Sequence, residues 1–151
     1  MIKIICVGKI KENYLKEAIE EYKKRLSKYT KLEIIEVNDI DDQSVDIVLL
    51  KEKEEIEKYI DAKDYVITLE IEGNMLSSVE LARKIDNIFN SNSTITFIIG
   101  GSYGLHSDIK SRSNYKLSFS KLTFPHQLFR VNLLEQIYRA FKINNNEAYH
   151  K

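Results

Sequence analysis

The chain has 151 residues, 43% of them hydrophobic, enough for one domain with a core that needs neither disulfides nor metal. Its single cysteine, Cys6, excludes an intrachain disulfide, and no apolar run approaches the length of a membrane span. Basic and acidic side chains balance at 23 each, which on its face argues against a nucleic-acid binder.

The distribution of charge argues the other way. Residues 1–109 hold 15 basic and 21 acidic side chains, whereas residues 110–151 hold 8 basic and 2 acidic. Such polarity is what a localised anion-binding face requires, unless it is an imbalance without function. The opening MIKIICVGK is too short and too strand-like for a signal peptide, so a soluble cytoplasmic protein is expected. Cys6 lies in an apolar run and is expected to be a buried, inert thiol.

In chain order, Ile2 to Val7 is β-branched and bounded by Gly8, which predicts a buried strand. Leu15, Ile19, Tyr22 and Leu26 recur at helical spacing and predict a helix over Glu12 to Tyr29. Leu32 to Val37 reads as a second strand, Asp39 to Ser44 as a polar turn, and Val45 to Ile60 as a helix with a solvated KEKEEIEK face. Tyr65 to Ile71 reads as a third strand ended by Gly73-Asn74. Ser77 and Glu80 fit a capping box opening a helix that ends in the NSNS turn at Asn90 to Ser93. Thr94 to Ile99 is a fourth strand running into Gly100-Gly101. A short helix over Leu105 to Arg112, a fifth strand over Tyr115 to Phe119 and a last helix from Pro125 to Phe141 complete the pattern, before a polar tail. Strands alternating with helices imply parallel β-α-β units, hence an α/β fold. Ligands in open α/β sheets bind at the carboxyl ends of strands, here Leu69 to Gly73, Gly100 to Gly104 and Phe119 to Phe124.

Two stretches carry unusual chemistry. Gly100-Gly101-Ser102-Tyr103-Gly104 follows a buried strand, so it is either a ligand loop with accessible backbone or a tight turn. It matches neither G-x-G-x-x-G nor a P-loop. In Thr123-Phe124-Pro125-His126-Gln127-Leu128-Phe129-Arg130, Pro125 suits a first helical position. His126 and Arg130 are four apart, so both are expected to project from one face of the first turns. The pair could hold a phosphate, a carboxylate or a developing imide anion, or be a solvated helix start. Apolar residues then cover well over half of the last helix, which suggests burial on two sides, the second against a homodimer partner. The ending Glu147-Ala148-Tyr149-His150-Lys151 is either a disordered tail or one that folds over a site, Tyr149 stacking and Lys151 meeting phosphate. The three histidines lack metal-ligand spacing, so metal catalysis is not expected, and neither is a serine triad.

Read together, several fragments are familiar. Thr68 to Gly73 (TLEIEG), Ile99 to His106 (IGGSYGLH), Leu117 to Val131 (LSFSKLTFPHQLFRV), Glu135 to Ile143 (EQIYRAFKI) and the EAYHK ending occur in that order. With VGK at Val7 to Lys9 and the EYKKRL helix, the chain resembles the RlmH family of SPOUT-superfamily RNA methyltransferases over nearly its whole length. The resemblance implies a parallel-sheet α/β SPOUT fold with a C-terminal trefoil knot, a feature beyond any periodicity argument. It implies a homodimer, S-adenosylmethionine bound in the knot, no metal, and N3-methylation of pseudouridine 1915 in helix 69 of 23S rRNA on the assembled 70S ribosome. Another SPOUT activity on a different rRNA or tRNA nucleotide, or a non-catalytic ribosome-binding factor, are the alternatives. By motif match the cofactor contacts would be Leu69, Gly100, Phe119, Ser120, Lys121, Leu122, Thr123 and Phe124. For the chemistry, His126 or the pair Tyr149/His150 would assist removal of the N3 proton, and Arg130 would stabilise the imide anion or a nearby phosphate.

Overall fold

The β-branched runs form the strands, and the helical repeats between them return the chain to the same end of the sheet each time. In the computed structural model, which describes residues 1–151, the order is β1 (Ile2–Val7), α1 (Asn13–Leu26), β2 (Leu32–Val37), α2 (Val45–Glu57), β3 (Tyr65–Met75), α3 (Ser78–Phe89), β4 (Ile95–Ile99), α4 (Ser107–Arg112), β5 (Tyr115–Ser118) and α5 (His126–Asn144). The five strands form one sheet in the order β2-β1-β4-β3-β5, and every pairing is parallel. β1 and β4 are central and buried along their whole length, which is why they read as unbroken apolar runs.

Helices cover both faces. On one, α1, α3 and α5 pack Leu26, Ile85, Leu133, Leu134 and Ile137 against Ile2, Ile4, Ile67 and Phe97. On the other, Ile56 of α2 and Ile109 of α4 meet Ile5, Val7, Val66 and Ile98. Cys6 is fully buried, and burial pushes its thiol up to about 12, so the expectation of an inert side chain holds. The capping box is present: Glu80 N–H donates to Ser77 Oγ at 3.1 Å, and Ser77 N–H to Glu80 Oε1 at 2.9 Å.

Two expectations need correction. β3 does not end at Gly73-Asn74 but continues to Met75. Its pairing with β5 jumps from Leu69 to Asn74, so residues 70–73 leave the ladder and the strand resumes beyond them. Gly73 permits this, because a Cβ there would lie 2.8 Å from the carbonyl carbon and oxygen of Lys116. The wide apolar arc of α5 is also largely used inside the chain. The helix lies between α1 and α3 and buries Leu133, Leu134, Ile137, Tyr138 and Ala140, so the arc by itself does not require a partner.

Candidate active site

The three strand ends expected to bind a ligand meet in one cavity of about 410 Å³. Leu69 to Glu72 form one wall, from the excursion that β3 makes between its two pairings with β5. Gly100, Gly101, Ser102, Gly104 and Leu105 form the wall after β4, and Leu117 to Ser120 with Leu122 to Phe124 form the third. The volume falls in the range of small-molecule and cofactor sites.

The glycine loop has two structural requirements. A Cβ on Gly100 would meet the Gly104 carbonyl oxygen at 2.5 Å, and Gly104 adopts φ +78°. The loop closes on itself through the Gly104 N–H bond to the Gly101 carbonyl, 3.1 Å. The segment after β5 offers backbone rather than side chains. The amides of Ser120, Lys121, Thr123 and Phe124 donate to nothing within the chain, and only Leu122 N–H is used, by Ser120 Oγ at 3.0 Å. Phe119 packs edge-on and Phe124 tilted against Phe129 beside it, with centroids 4.7 and 5.9 Å from that ring.

Seven of the eight expected cofactor residues line the cavity: Leu69, Gly100, Phe119, Ser120, Leu122, Thr123 and Phe124. Lys121 is exposed and does not. Of the residues expected to do chemistry, His126 stands at the cavity, exposed, at the first turn of α5.

Arg130 does not share its position. It is 1% exposed, with Nη1 donating to Glu36 Oε2 at 2.6 Å and Nη2 to the Gly8 carbonyl at 3.1 Å. α5 starts above the ends of β1 and β2, so one turn beyond His126 the side chain points into the sheet. The expected His126/Arg130 pair on one open face is therefore corrected: Arg130 clasps the start of α5 to β1 and β2. Its Nε, buried without a partner, marks how completely this cation is enclosed.

The tail is ordered against α5, away from this cavity. Tyr149 donates to Glu135 Oε1 at 3.0 Å and packs edge-on against Tyr138, and His150 Nδ1 lies 3.1 Å from Arg139. Burial and the Glu135 hydrogen bond push the Tyr149 phenol up to about 12, so it is protonated at neutral pH. Glu135 is nine residues beyond His126, about 14 Å along the helix.

The basic C-terminal third is also less free than its composition implies. Lys110 pairs with Glu70, Arg130 with Glu36, Arg139 with Glu135 and Lys142 with Glu147. Arg112 donates to the carbonyls of Asp61, Ala62 and Asp64.

This geometry agrees with the comparisons to known proteins. The family model described as "Predicted SPOUT methyltransferase" matches residues 1–150. The chain belongs to the SPOUT methyltransferase family. It is 57% identical to "Ribosomal RNA large subunit methyltransferase H" of Clostridium botulinum (strain Alaska E43 / Type E3), with 99% of each chain covered. It is 53% identical to the protein of the same name from Caldicellulosiruptor saccharolyticus, with both chains covered entirely. "A probable methylase family protein from Haemophilus influenzae Rd KW20" shares the fold with a TM-score of 0.58 at 17% identity, over 99% of this chain and 70% of that one.

As a SPOUT family member the chain is an S-adenosylmethionine-dependent methyltransferase. The cavity suits such a cofactor in kind: apolar and aromatic side chains line it, and backbone N–H groups left unpaired after β5 are available as hydrogen-bond donors. Three charged lining residues had not been singled out from sequence: Glu70, Glu72 and Lys110. Glu70 and Glu72 lie within the excursion of β3, a stretch that read as the plain end of a strand. Lys110 sits on a short helix with no motif of its own.

Proposed function

We propose that this protein methylates N3 of pseudouridine 1915 in helix 69 of 23S rRNA on the assembled ribosome, with S-adenosylmethionine in the cavity described above. The observation that carries this reading is the convergence of three distant strand ends on one cofactor-sized cavity, in a chain 57% identical to a protein named for rRNA methylation. A trefoil knot belongs to the same reading. The chain leaves β5 at one edge of the sheet, and α5 begins at β1, where Gln127 accepts from Lys11 N–H and Arg130 reaches Gly8. Residues 119–125 therefore cross above the ends of β3 and β4.

A homodimer is supported by exposed apolar side chains on the cavity's lining, Leu122 at 71% and Ile71 at 53%. The bound cofactor supplies an activated methyl group, so no covalent enzyme intermediate is required. The chain's own task is to hold the attacking nitrogen in line and to remove its proton. We assign proton removal to His126, the candidate that stands at its own chain's cavity. His150, held near Arg139, serves the reaction only if a second protomer brings it to the site. Tyr149, a protonated phenol bonded to Glu135, anchors the tail.

The test is mass spectrometry of 23S rRNA from a deletion strain complemented with the wild-type or the His126→Ala gene. The expected result is loss of one methyl from helix 69, restored by the wild type and restored slowly, by about a hundredfold, with His126→Ala. An unchanged helix 69 in the deletion strain would falsify the substrate assignment. A lost methyl elsewhere would point to another nucleotide.

A further inference from the structure

We propose that Glu70 makes the cavity selective for charge, favouring the cationic methyl donor over the product left after transfer. The proposal rests on the reading of the cavity as the S-adenosylmethionine site. Transfer breaks the bond between sulfur and the methyl carbon, and its electron pair stays on sulfur while the new bond forms to the accepting nitrogen. The sulfonium becomes a neutral thioether, so donor and product differ by one positive charge and one methyl group.

The cavity wall contains a carboxylate suited to read that difference. The Glu70 side chain is 12% exposed and has lost most of its water. A carboxylate has about four acceptor sites, yet Glu70 has one short hydrogen bond, from Thr68 Oγ1 at 2.7 Å. Its only nearby cation, Lys110, pairs with it at 3.8 Å from Oε1, too distant for a direct hydrogen bond, and keeps 43% of its side chain exposed. Glu72 adds a second carboxylate to the same wall. Two acids and one lysine leave this wall net negative. A partly desolvated, under-bonded carboxylate gains more from an arriving cation than a solvated one does.

The test is isothermal titration of the full-length protein with three ligands: S-adenosylmethionine, S-adenosylhomocysteine, and sinefungin, which carries a protonated amine where the donor carries its sulfonium. Glu70→Gln keeps the shape and can still accept from Thr68. It is expected to weaken the two cationic ligands about three- to tenfold and S-adenosylhomocysteine by less than about twofold. Lys110→Met removes the opposing charge and is expected to raise the ratio of donor to product affinity about two- to fivefold. This second variant keeps the question open to test if Glu70→Gln does not fold. Equal weakening of all three ligands by Glu70→Gln would place the carboxylate at their shared amino-acid end and overturn the proposal. An unchanged affinity ratio in both variants would overturn it too. If the wild-type protein binds none of the three, the cofactor reading of the cavity fails instead.

Discussion

Lys3 and Asp64 show how a buried charge is made tolerable. Lys3 Nζ donates to Asp64 Oδ2 at 3.0 Å and to the Tyr59 carbonyl at 2.8 Å. The same carboxylate oxygen accepts from Asp61 N–H at 3.0 Å and Thr96 Oγ1 at 2.9 Å. Desolvation opposes the charge on Asp64, but the hydrogen bonds and Lys3 outweigh it and hold its pKa below the usual carboxylate value. Desolvation opposes the charge on Lys3 too, but the hydrogen bonds and charges of Asp64 and Asp61 outweigh it and hold Lys3 above the usual lysine value. A depressed acid stabilises the fold above its unfolded pKa and ceases to do so as pH falls through the folded value. Asp64→Asn leaves Lys3 buried without its main counter-charge and is expected to cost about 3 kcal/mol near neutrality. Urea unfolding from pH 7 downward checks the sign: the gap between wild type and variant narrows below about pH 4. A gap that widens in acid would contradict this account.

Arg130 is the residue whose role sequence spacing misjudged. Four residues from His126 is correct for a shared helical face, but which side of α5 meets the sheet depends on where the helix starts. That depends on contacts 94 and 122 residues away in the chain, with Glu36 and Gly8. No local pattern contains this information.

Among the elements, the β-branched strands, the capping box and the three strand ends that line the cavity were all legible, because each follows from local propensity, short-range hydrogen bonding or the general placement of clefts in parallel sheets. The continuation of β3 was not. Gly73-Asn74 has the composition of a turn, and only the close approach of Lys116 shows that this glycine serves a strand excursion. The docked tail was illegible for a similar reason, since its anchors lie on α5 and in the turn after α1: Glu135, Tyr138 and Tyr29. The loop after β4 yields a prediction at this scale. Gly100→Ala places a methyl against the Gly104 backbone with no flexible side chain to yield, so the loop must shift. Cofactor affinity by calorimetry is expected to fall more than about tenfold, with a stability loss of about 1–3 kcal/mol by thermal melting. Retention of full affinity would show that the loop does not shape the cavity.

For the whole molecule, the question is what covers the cavity mouth. α5 is largely satisfied between α1 and α3, and among the exposed apolar side chains Leu122 and Ile71 lie on the cavity's own lining. Leu122→Lys changes no packed core position and is expected to leave the melting temperature of the protomer within about 2 °C. In sedimentation velocity it is expected to shift the protein from dimer toward monomer. A wild-type protein that sediments as a monomer at micromolar concentration would assign this patch to the RNA instead.

The crossing of residues 119–125 above the sheet has a consequence for the order in which the molecule comes into being. Synthesis runs from β1 toward α5, and every earlier strand and helix has left the ribosome before these residues do. The Arg130 clasp joins the end of the story to its beginning, at Gly8. Closing so long a span is slow compared with forming any single β-α unit. The cavity is therefore closed only late, and a chain still being made contains most of the scaffold before it contains the cavity.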